Sequence, residues 1–289
     1  MEKEMRIIQI GDEEYPKTLL NISNPPKKLY AMGNVSLLNC TGIAVIGSRK
    51  VSDYGIENCK YFAGGLAKCK IPIISGMALG IDSIAHLQAL KFHTPTIAVL
   101  GTGFNHIYPI ENLKLMNDIL LNDGLIISEC NPDIEFDSKN FAKRNRIISG
   151  LSIGVLVIEA AYRSGTSITV NFAKKQGKKV FAVPGRLDLI NGKGVNKFIK
   201  EGAQIVTCVE DILNEFYELK NIVLPKDNKN IPKDNKKYEE LLMVLEHGKT
   251  VEELMWITKK SRDEILNILV KLECDGIIKN EVGIGYKRI

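Results

Sequence analysis

The sequence predicts an α/β protein: an extended Rossmann-like, doubly wound, mostly parallel sheet followed by a small winged-helix domain. Three observations point there. Short continuous apolar runs alternate with amphipathic stretches from residue 43 to residue 218. Buried strands separated by helices are the pattern of a parallel sheet covered on both faces. Glycine-containing turns follow several of these runs, at the edge where a doubly wound sheet binds its ligands. After a polar stretch, three helical patterns end in a hairpin pattern.

Residues 1–41 hold short apolar runs broken by Pro16, Pro25 and Pro26, and are expected as a lead-in segment packed on the main domain. Strands are expected at Ile43–Ile46, Ile71–Ile74, Thr96–Leu100, Leu125–Ile127, Val155–Ile158, Lys179–Val183 and Gln204–Val206. Helices are expected at 53–68, 81–92, 111–122, 143–151, 166–176 and 193–201, with one more near 209–218. Leu224–Lys237 contains PKDNK twice and has no apolar periodicity, so it reads as a linker. The expected division is therefore 1–41, a Rossmann-like domain at 42–220, a linker at 221–237 and a winged helix at 238–289. In that last module Ser261 is placed to cap a helix with Glu264 at the capping-box position, and Gly276 to stop it.

The 289 residues are 45% hydrophobic, normal for a chain with a real core. The net charge of +5 is unevenly spread. Residues 42–220 carry 21 basic and 17 acidic residues, 221–237 carry 5 and 2, and 238–289 carry 8 and 10. The positive field belongs to the middle domain and linker. The six cysteines (40, 59, 69, 130, 208 and 274) form no C-x-x-C pair and no Cys/His metal spacing, so neither metal nor disulfide is expected. The first residues hold no apolar run like a signal peptide. No stretch approaches the ~20 apolar residues of a membrane span. A cytoplasmic protein without bound cofactor is the expectation.

The charge is densest from Lys139 to Arg186, which holds ten basic residues, Arg163 among them, and one acid, Glu159. Five features lie there or on the same sheet edge. The first strand ends in Gly47-Ser48-Arg49: the glycine admits close backbone approach, Ser48 can hydrogen-bond, and Arg49 offers a planar fork to phosphate. The alternative is a tight turn with a solvent-facing arginine. The second strand ends in Ser75-Gly76-Met77-Ala78, a small-residue turn suited to an anion nest. It leads to Asp82 and His86, which read either as site groups or as a cap and a structural histidine. The third ends in Gly101-Thr102-Gly103, with Tyr108-Pro109 beyond. KNFAKRNR then places Phe141 and Asn145 among Lys139, Lys143, Arg144 and Arg146. Cations that track phosphates beside a ring that stacks on a base are the ingredients of single-strand binding; the alternative is a solvated basic face with Phe141 in the core. Last, Glu159 ends a strand, and Ser164-Gly165-Thr166 open a helix whose N–H groups can receive phosphate. Glu159 is expected to pair with a nearby arginine.

These segments, in order, carry a resemblance. GSRKVSDYG, SGMALGIDSIAH, GTGFNHIYP, ISECNP, FAKRNRIISGLS, VLVIEAAYRSGTSIT and VFAVPG resemble the DNA-processing protein A family (DprA, also called Smf), over residues 7–210. DEEYPKTLLNISNPPKKLYAMGN looks like that family's segment before its Rossmann domain, and a complete N-terminal helical domain is not expected here. The resemblance implies an extended Rossmann fold that binds single-stranded DNA, forms homodimers through that domain, and loads the RecA recombinase onto DNA during natural transformation. It implies no catalytic reaction. Arg49 matches the family's DNA-contacting arginine. Lys139 and Phe141 match the basic and aromatic positions before its R-N-R motif, which is Arg144, Asn145 and Arg146. Gly76, Ser164, Gly165 and Thr166 match its pocket turns. Ala142 stands where the family often has proline.

Two rival functions remain at this level. One is a nucleotide or ribose-phosphate hydrolase of the phosphoribohydrolase-like Rossmann type, with Glu159 as acid/base near Arg144. Those proteins have a P-G-G-x-G-T pattern where this chain has only Ser164-Gly165-Thr166. The other is a duplex-DNA regulator acting through the winged helix. The acidic balance of 238–289, with Asp263 and Glu264 leading its last helix, points instead to a protein contact.

Overall fold

The computed structural model describes residues 4–162, 164–220, 222, 239–245, 248–274, 277–281 and 285–288. Arg163, the 224–237 linker, Tyr238 and Gly276 lie outside the described residues. The chain divides into two compact units, Met1–Pro225 and Lys226–Ile289.

The first unit is built on β1 (Arg6–Gln9), α1 (Lys17–Leu20), β2 (Lys28–Gly33), β3 (Ile43–Ile46), α2 (Asp53–Lys68), β4 (Ile73–Ser75), α3 (Ile81–Lys91), β5 (Thr96–Leu100), α4 (Leu113–Leu121), β6 (Leu125–Ser128), α5 (Ser138–Leu151), β7 (Gly154–Val157), α6 (Gly165–Lys175), β8 (Lys179–Ala182), α7 (Ile190–Lys200), β9 (Gln204–Ile205) and α8 (Glu210–Leu213). Its strands form one sheet in the order β1-β2-β6-β5-β4-β3-β7-β8-β9. From β6 to β9 every pairing is parallel. The apolar runs are continuous because both faces are covered. In β3, Ala44 and Ile46 face a core shared with α5, α6 and α7, while Ile43 and Val45 face one shared with α2 and α3.

The order of this sheet positions the site. The parallel strands are laid down outward from β3 through β4, β5 and β6 on one side and from β7 through β8 and β9 on the other, so the order of winding reverses between β3 and β7. Helices leave opposite faces on the two sides of such a switch point, which opens a crevice at the strands' carboxyl ends.

The lead-in does more than pack on the domain. β1 and β2 pair with each other, and β2 pairs with β6, all antiparallel, with Tyr30 opposite Ser128. No strand was expected there, because the short runs between prolines carry little periodicity. Leu19 and Ile22 then pack where Gly150 leaves room on α5; a Cβ at Gly150 would lie 2.7 Å from the Leu19 side chain. A second difference matters more. α5 begins at Ser138, five residues before the expected start. Its first turn is polar and shows no apolar period, but Asp137 caps it, accepting from Lys139 N at 2.9 Å.

In the second unit, α9 (Glu239–Val244), α10 (Val251–Thr258) and α11 (Arg262–Cys274) precede β10 (Ile278–Glu281) and β11 (Gly285–Arg288), which pair antiparallel. Its core gathers Leu242, Leu245, Leu254, Ile265, Leu269 and Leu272. Thr250 and Glu253 form a capping box on α10. Ser261 and Glu264 form the expected one on α11: Ser261 N donates to Glu264 Oε2 at 2.9 Å and Glu264 N to Ser261 Oγ at 3.4 Å.

Candidate nucleic-acid interface

A cavity of about 490 Å³ opens at the switch point. Three segments converge on it: the turn after β3, the inward face of α5, and the start of α6. Helical spacing explains α5. Phe141, Arg144, Asn145 and Ile148 recur at intervals of three, one and three, share a face, and line the cavity. Lys143 and Arg146 fall on another face, three residues apart, and both reach Glu129, at 3.3 and 2.8 Å.

The rim of the cavity is exposed and cationic. Arg49 and Lys50 project from the β3 turn, and Lys139 stands exposed on the first turn of α5, outside the lining. Ser48 orders the turn rather than meeting a ligand alone: its hydroxyl donates to Lys50 O at 2.8 Å and accepts from Lys50 N at 3.2 Å. Across the cavity Ser164 caps α6 without a side-chain hydrogen bond to it. The Ser164 Oγ is buried and has no partner among the described residues. A Cβ on Gly165 would meet nothing within 4 Å, so open space lies over the first turn of α6. Thr166 donates to Gly47 O at 3.1 Å, and Asn145 Nδ2 to Gly165 O at 3.3 Å, tying this helix start to β3 and α5. First-turn amides lack intrahelical partners and carry the positive end of the helix dipole, so they suit an anion.

The floor is buried and hydrogen-bonded. Arg144, 6% exposed, donates through Nη1 to Gly76 O at 2.7 Å and to Val99 O, and through Nε to Asn145 Oδ1 at 3.1 Å. Burial lowers its pKa to about 10, against the opposing attraction of Asp82, so it remains a cation at neutral pH. Asp82 accepts from Gly76 N at 3.1 Å and Ala78 N at 3.4 Å, and burial raises its carboxyl above the usual range. His86 is fully buried. Thr96 donates its hydroxyl to Ile73 O, so it can only accept from His86 Nδ1, which leaves Nε2 bare. Burial holds this imidazole neutral, with its pKa lowered to about 3. His86 is thus the structural histidine of the two readings, whereas Asp82 reaches the cavity.

Several expectations are corrected. Arg146 was expected on phosphate, but it is 3% exposed and serves the fold: Nε donates to Asn24 O at 2.7 Å, Nη1 to Lys143 O at 2.9 Å, and Nη2 pairs with Glu129. Lys143 shares that carboxylate and lines a smaller cleft of about 190 Å³. Gly76 lies beneath the cavity, where a Cβ would meet Asp82 Oδ2 at 2.8 Å and the Arg144 guanidinium at 2.9 Å. Its smallness admits the Arg144 anchor rather than a ligand. Phe141, expected as an open stacking ring, is 7% exposed. It lies against Gly101, where a Cβ would be 2.8 Å from the ring, and under the guanidinium groups of Arg49 and Arg144, 5.8 and 5.3 Å from its centroid. Glu159 pairs with no arginine among the described residues. It is buried and accepts from Ser52 Oγ at 2.5 Å, Ser52 N at 3.0 Å and Asn191 Nδ2 at 3.3 Å.

Sequence reading missed Asn191, Lys50 and Phe136, all of which line the cavity. Asn191 Nδ2 donates to Lys50 O at 2.6 Å and so clamps the turn that carries Arg49. No local pattern marks it, since its partners are far along the chain. Phe136 was the findable one: a lone aromatic in the polar loop NPDIEFDS.

A family model described as DNA recombination-mediator protein A matches residues 6–217. Protein Smf of Escherichia coli strain K12 is 42% identical over 207 residues, which are 72% of this chain and 55% of that protein. DNA processing protein DprA of Streptococcus pneumoniae is also 42% identical over 207 residues, 72% of this chain and 73% of that protein. The X-ray structure of DprA from Streptococcus pneumoniae matches with a TM-score of 0.70 and 39% identity, covering 74% of this chain and 75% of that one. A structure of the Helicobacter pylori protein, described for its single-stranded DNA binding mode, matches with a TM-score of 0.66 and 32% identity, covering 74% of this chain and 97% of that one. The sheet that opens at β3 and β7, the motifs that converge there and the match over residues 6–217 leave one conclusion: the chain belongs to the DNA recombination-mediator protein A family.

Proposed function

We propose that this protein binds single-stranded DNA in the cavity at the switch point and uses it to mediate recombination. The observation that carries the reading is convergence. Arg49 and Lys50 on the β3 turn, the Arg144 charge on α5 and the open helix start at Ser164, Gly165 and Thr166 face one cavity. Arg49, Lys50 and Lys139 contact phosphates. Arg144 contributes charge from the floor without leaving its carbonyls, and Asn145 holds the α6 start in place. A flexible strand can thread such a concave rim, whereas a duplex cannot enter a cavity of about 490 Å³. The Helicobacter pylori relative's binding of single-stranded DNA supports this.

Within the same reading the protein protects incoming DNA and loads the RecA recombinase onto it during natural transformation, acts as a homodimer through the first unit, and works in the cytoplasm. No helix of the described residues is long and apolar enough to cross a membrane. The second unit, read as a winged helix, serves protein association rather than duplex reading, given its acidic balance.

The hydrolase reading loses its acid/base. Glu159 does not line the cavity, and both its oxygens already accept hydrogen bonds.

Fluorescence anisotropy of a labelled oligo-dT and its duplex counterpart across a salt series tests the proposal. The expected result is preference for the single strand, with a log–log salt slope of about −0.7 per neutralised phosphate. Equal or absent binding overturns it.

A further inference from the structure

Resting on that reading, we infer that Phe136, backed by Tyr108, is the platform on which a nucleobase stacks at this cavity. A stacking platform needs an open aromatic face beside the cations that hold the backbone. Phe141 lacks the open face, since its ring is covered by Gly101, two guanidinium groups and two neighbouring rings. Phe136 has one: it is 49% exposed, lines the same cavity as Arg49, and Tyr108 beside it is 44% exposed. The two rings are 4.5 Å apart with an interplanar angle of 47°, and each touches Phe141 below, at 5.0 and 5.8 Å. The buried ring is the footing, and the exposed pair is the continuation outward.

The platform is held before any ligand arrives. Gly103 N donates to Ile134 O at 2.8 Å and Asn105 N to Pro132 O at 3.0 Å, joining the loop that carries Tyr108 to the loop that carries Phe136. On the other side Asp137 caps α5. A ring fixed by its footing and its loop loses little freedom on binding, which favours affinity.

The neighbouring charges assign the ring to a base rather than to the backbone. Phe136 lies between Glu135 and Asp137, and carboxylates repel phosphate. The phosphates therefore run along Arg49, Lys50 and Lys139, and the bases turn toward the ring. Stacking needs only a π face, so the contact accepts every base.

The test is Phe136→Leu, which keeps apolar packing on Phe141 and Tyr108 but removes the ring, compared with Phe136→Trp, which keeps a ring. Stacking is lost with the leucine, so oligo-dT binding weakens about tenfold. Its salt slope stays unchanged because no phosphate contact is removed. The tryptophan variant binds as wild type, and in a Trp256→Phe background its fluorescence is quenched by oligo-dT. An abasic oligomer of equal length binds wild type and Phe136→Leu alike. If Phe136→Leu binds oligo-dT as tightly as wild type, or weakens both oligomers equally, the inference is overturned while single-strand binding stands. If wild type binds no single strand, the proposed function falls and this inference with it.

Discussion

The cavity's floor and rim are both made of charged residues, yet they obey different rules. On the floor Arg144 and Asp82 are buried and hydrogen-bonded, Arg144 to the carbonyls of Gly76 and Val99 far back in the chain and Asp82 to the amides of Gly76 and Ala78 in the turn before it. Arg146, two residues beyond Arg144, is buried on another side of the same helix. On the rim Arg49, Lys50 and Lys139 stand in water. A buried charge must be compensated or the fold loses several kcal/mol; an exposed one costs the fold little and stays available to a ligand. Counting cations in KNFAKRNR therefore says little about how many meet DNA. Floor residues should govern stability, and rim residues the salt dependence of binding.

Arg146→Ala should have the largest effect. It leaves Asn24 O without its donor and Glu129 with Lys143 alone, and should destabilise the chain by about 3 kcal/mol in urea unfolding. Once the variant is folded at low temperature, its salt slope for oligo-dT should match wild type; a flattened slope would return Arg146 to the phosphate path. Gly101→Ala should cost about 2 kcal/mol, because the new methyl group collides with the Phe141 ring and the core there has little room to shift.

His86 sharpens the contrast by pH. Its folded pKa of about 3 lies below the ordinary 6.5, so the unfolded chain takes up a proton that the folded chain refuses. The neutral-imidazole contribution is complete above pH 6.5 and is lost as pH falls toward 3, at about 1.4 kcal/mol per pH unit. The difference in stability between wild type and His86→Gln, followed from pH 7 to pH 5, isolates this group from Asp82, whose raised carboxyl acts in the opposite sense. A pH-independent difference would mean that His86 is not buried neutral.

On the rim, Arg49→Ala should change stability by less than about 0.5 kcal/mol. It should still flatten the log–log salt slope by about 0.7, the share of one phosphate on a single strand. Unchanged binding would remove Arg49 from the interface.

Much of this molecule was readable from its sequence. The parallel sheet follows from continuous apolar runs at Ile43–Ile46 and Thr96–Leu100, because strands buried on both faces need no polar positions. The glycine turn after Ile43–Ile46 lies at the sheet edge where the cavity opens, as the carboxyl ends of a doubly wound sheet lead one to expect. The caps at Ser261 and Glu264 were visible because capping is local. The lead-in strands were not: β2 is held by its pairing with β6, about a hundred residues away. Tertiary structure alone decided which cations are buried in the fold and which stay open to solvent. Arg144 and Arg146 are alike in type and nearly adjacent. Their fates separate because a helix turns by 3.6 residues, carrying one toward Gly76 and Val99 and the other toward Glu129 and Asn24. Phe141 likewise became a covered ring rather than an open one because Gly101, forty residues earlier, leaves space for it. Sequence determines which side chains exist and their local geometry; which of them keep contact with water depends on the partners that long-range packing brings to them.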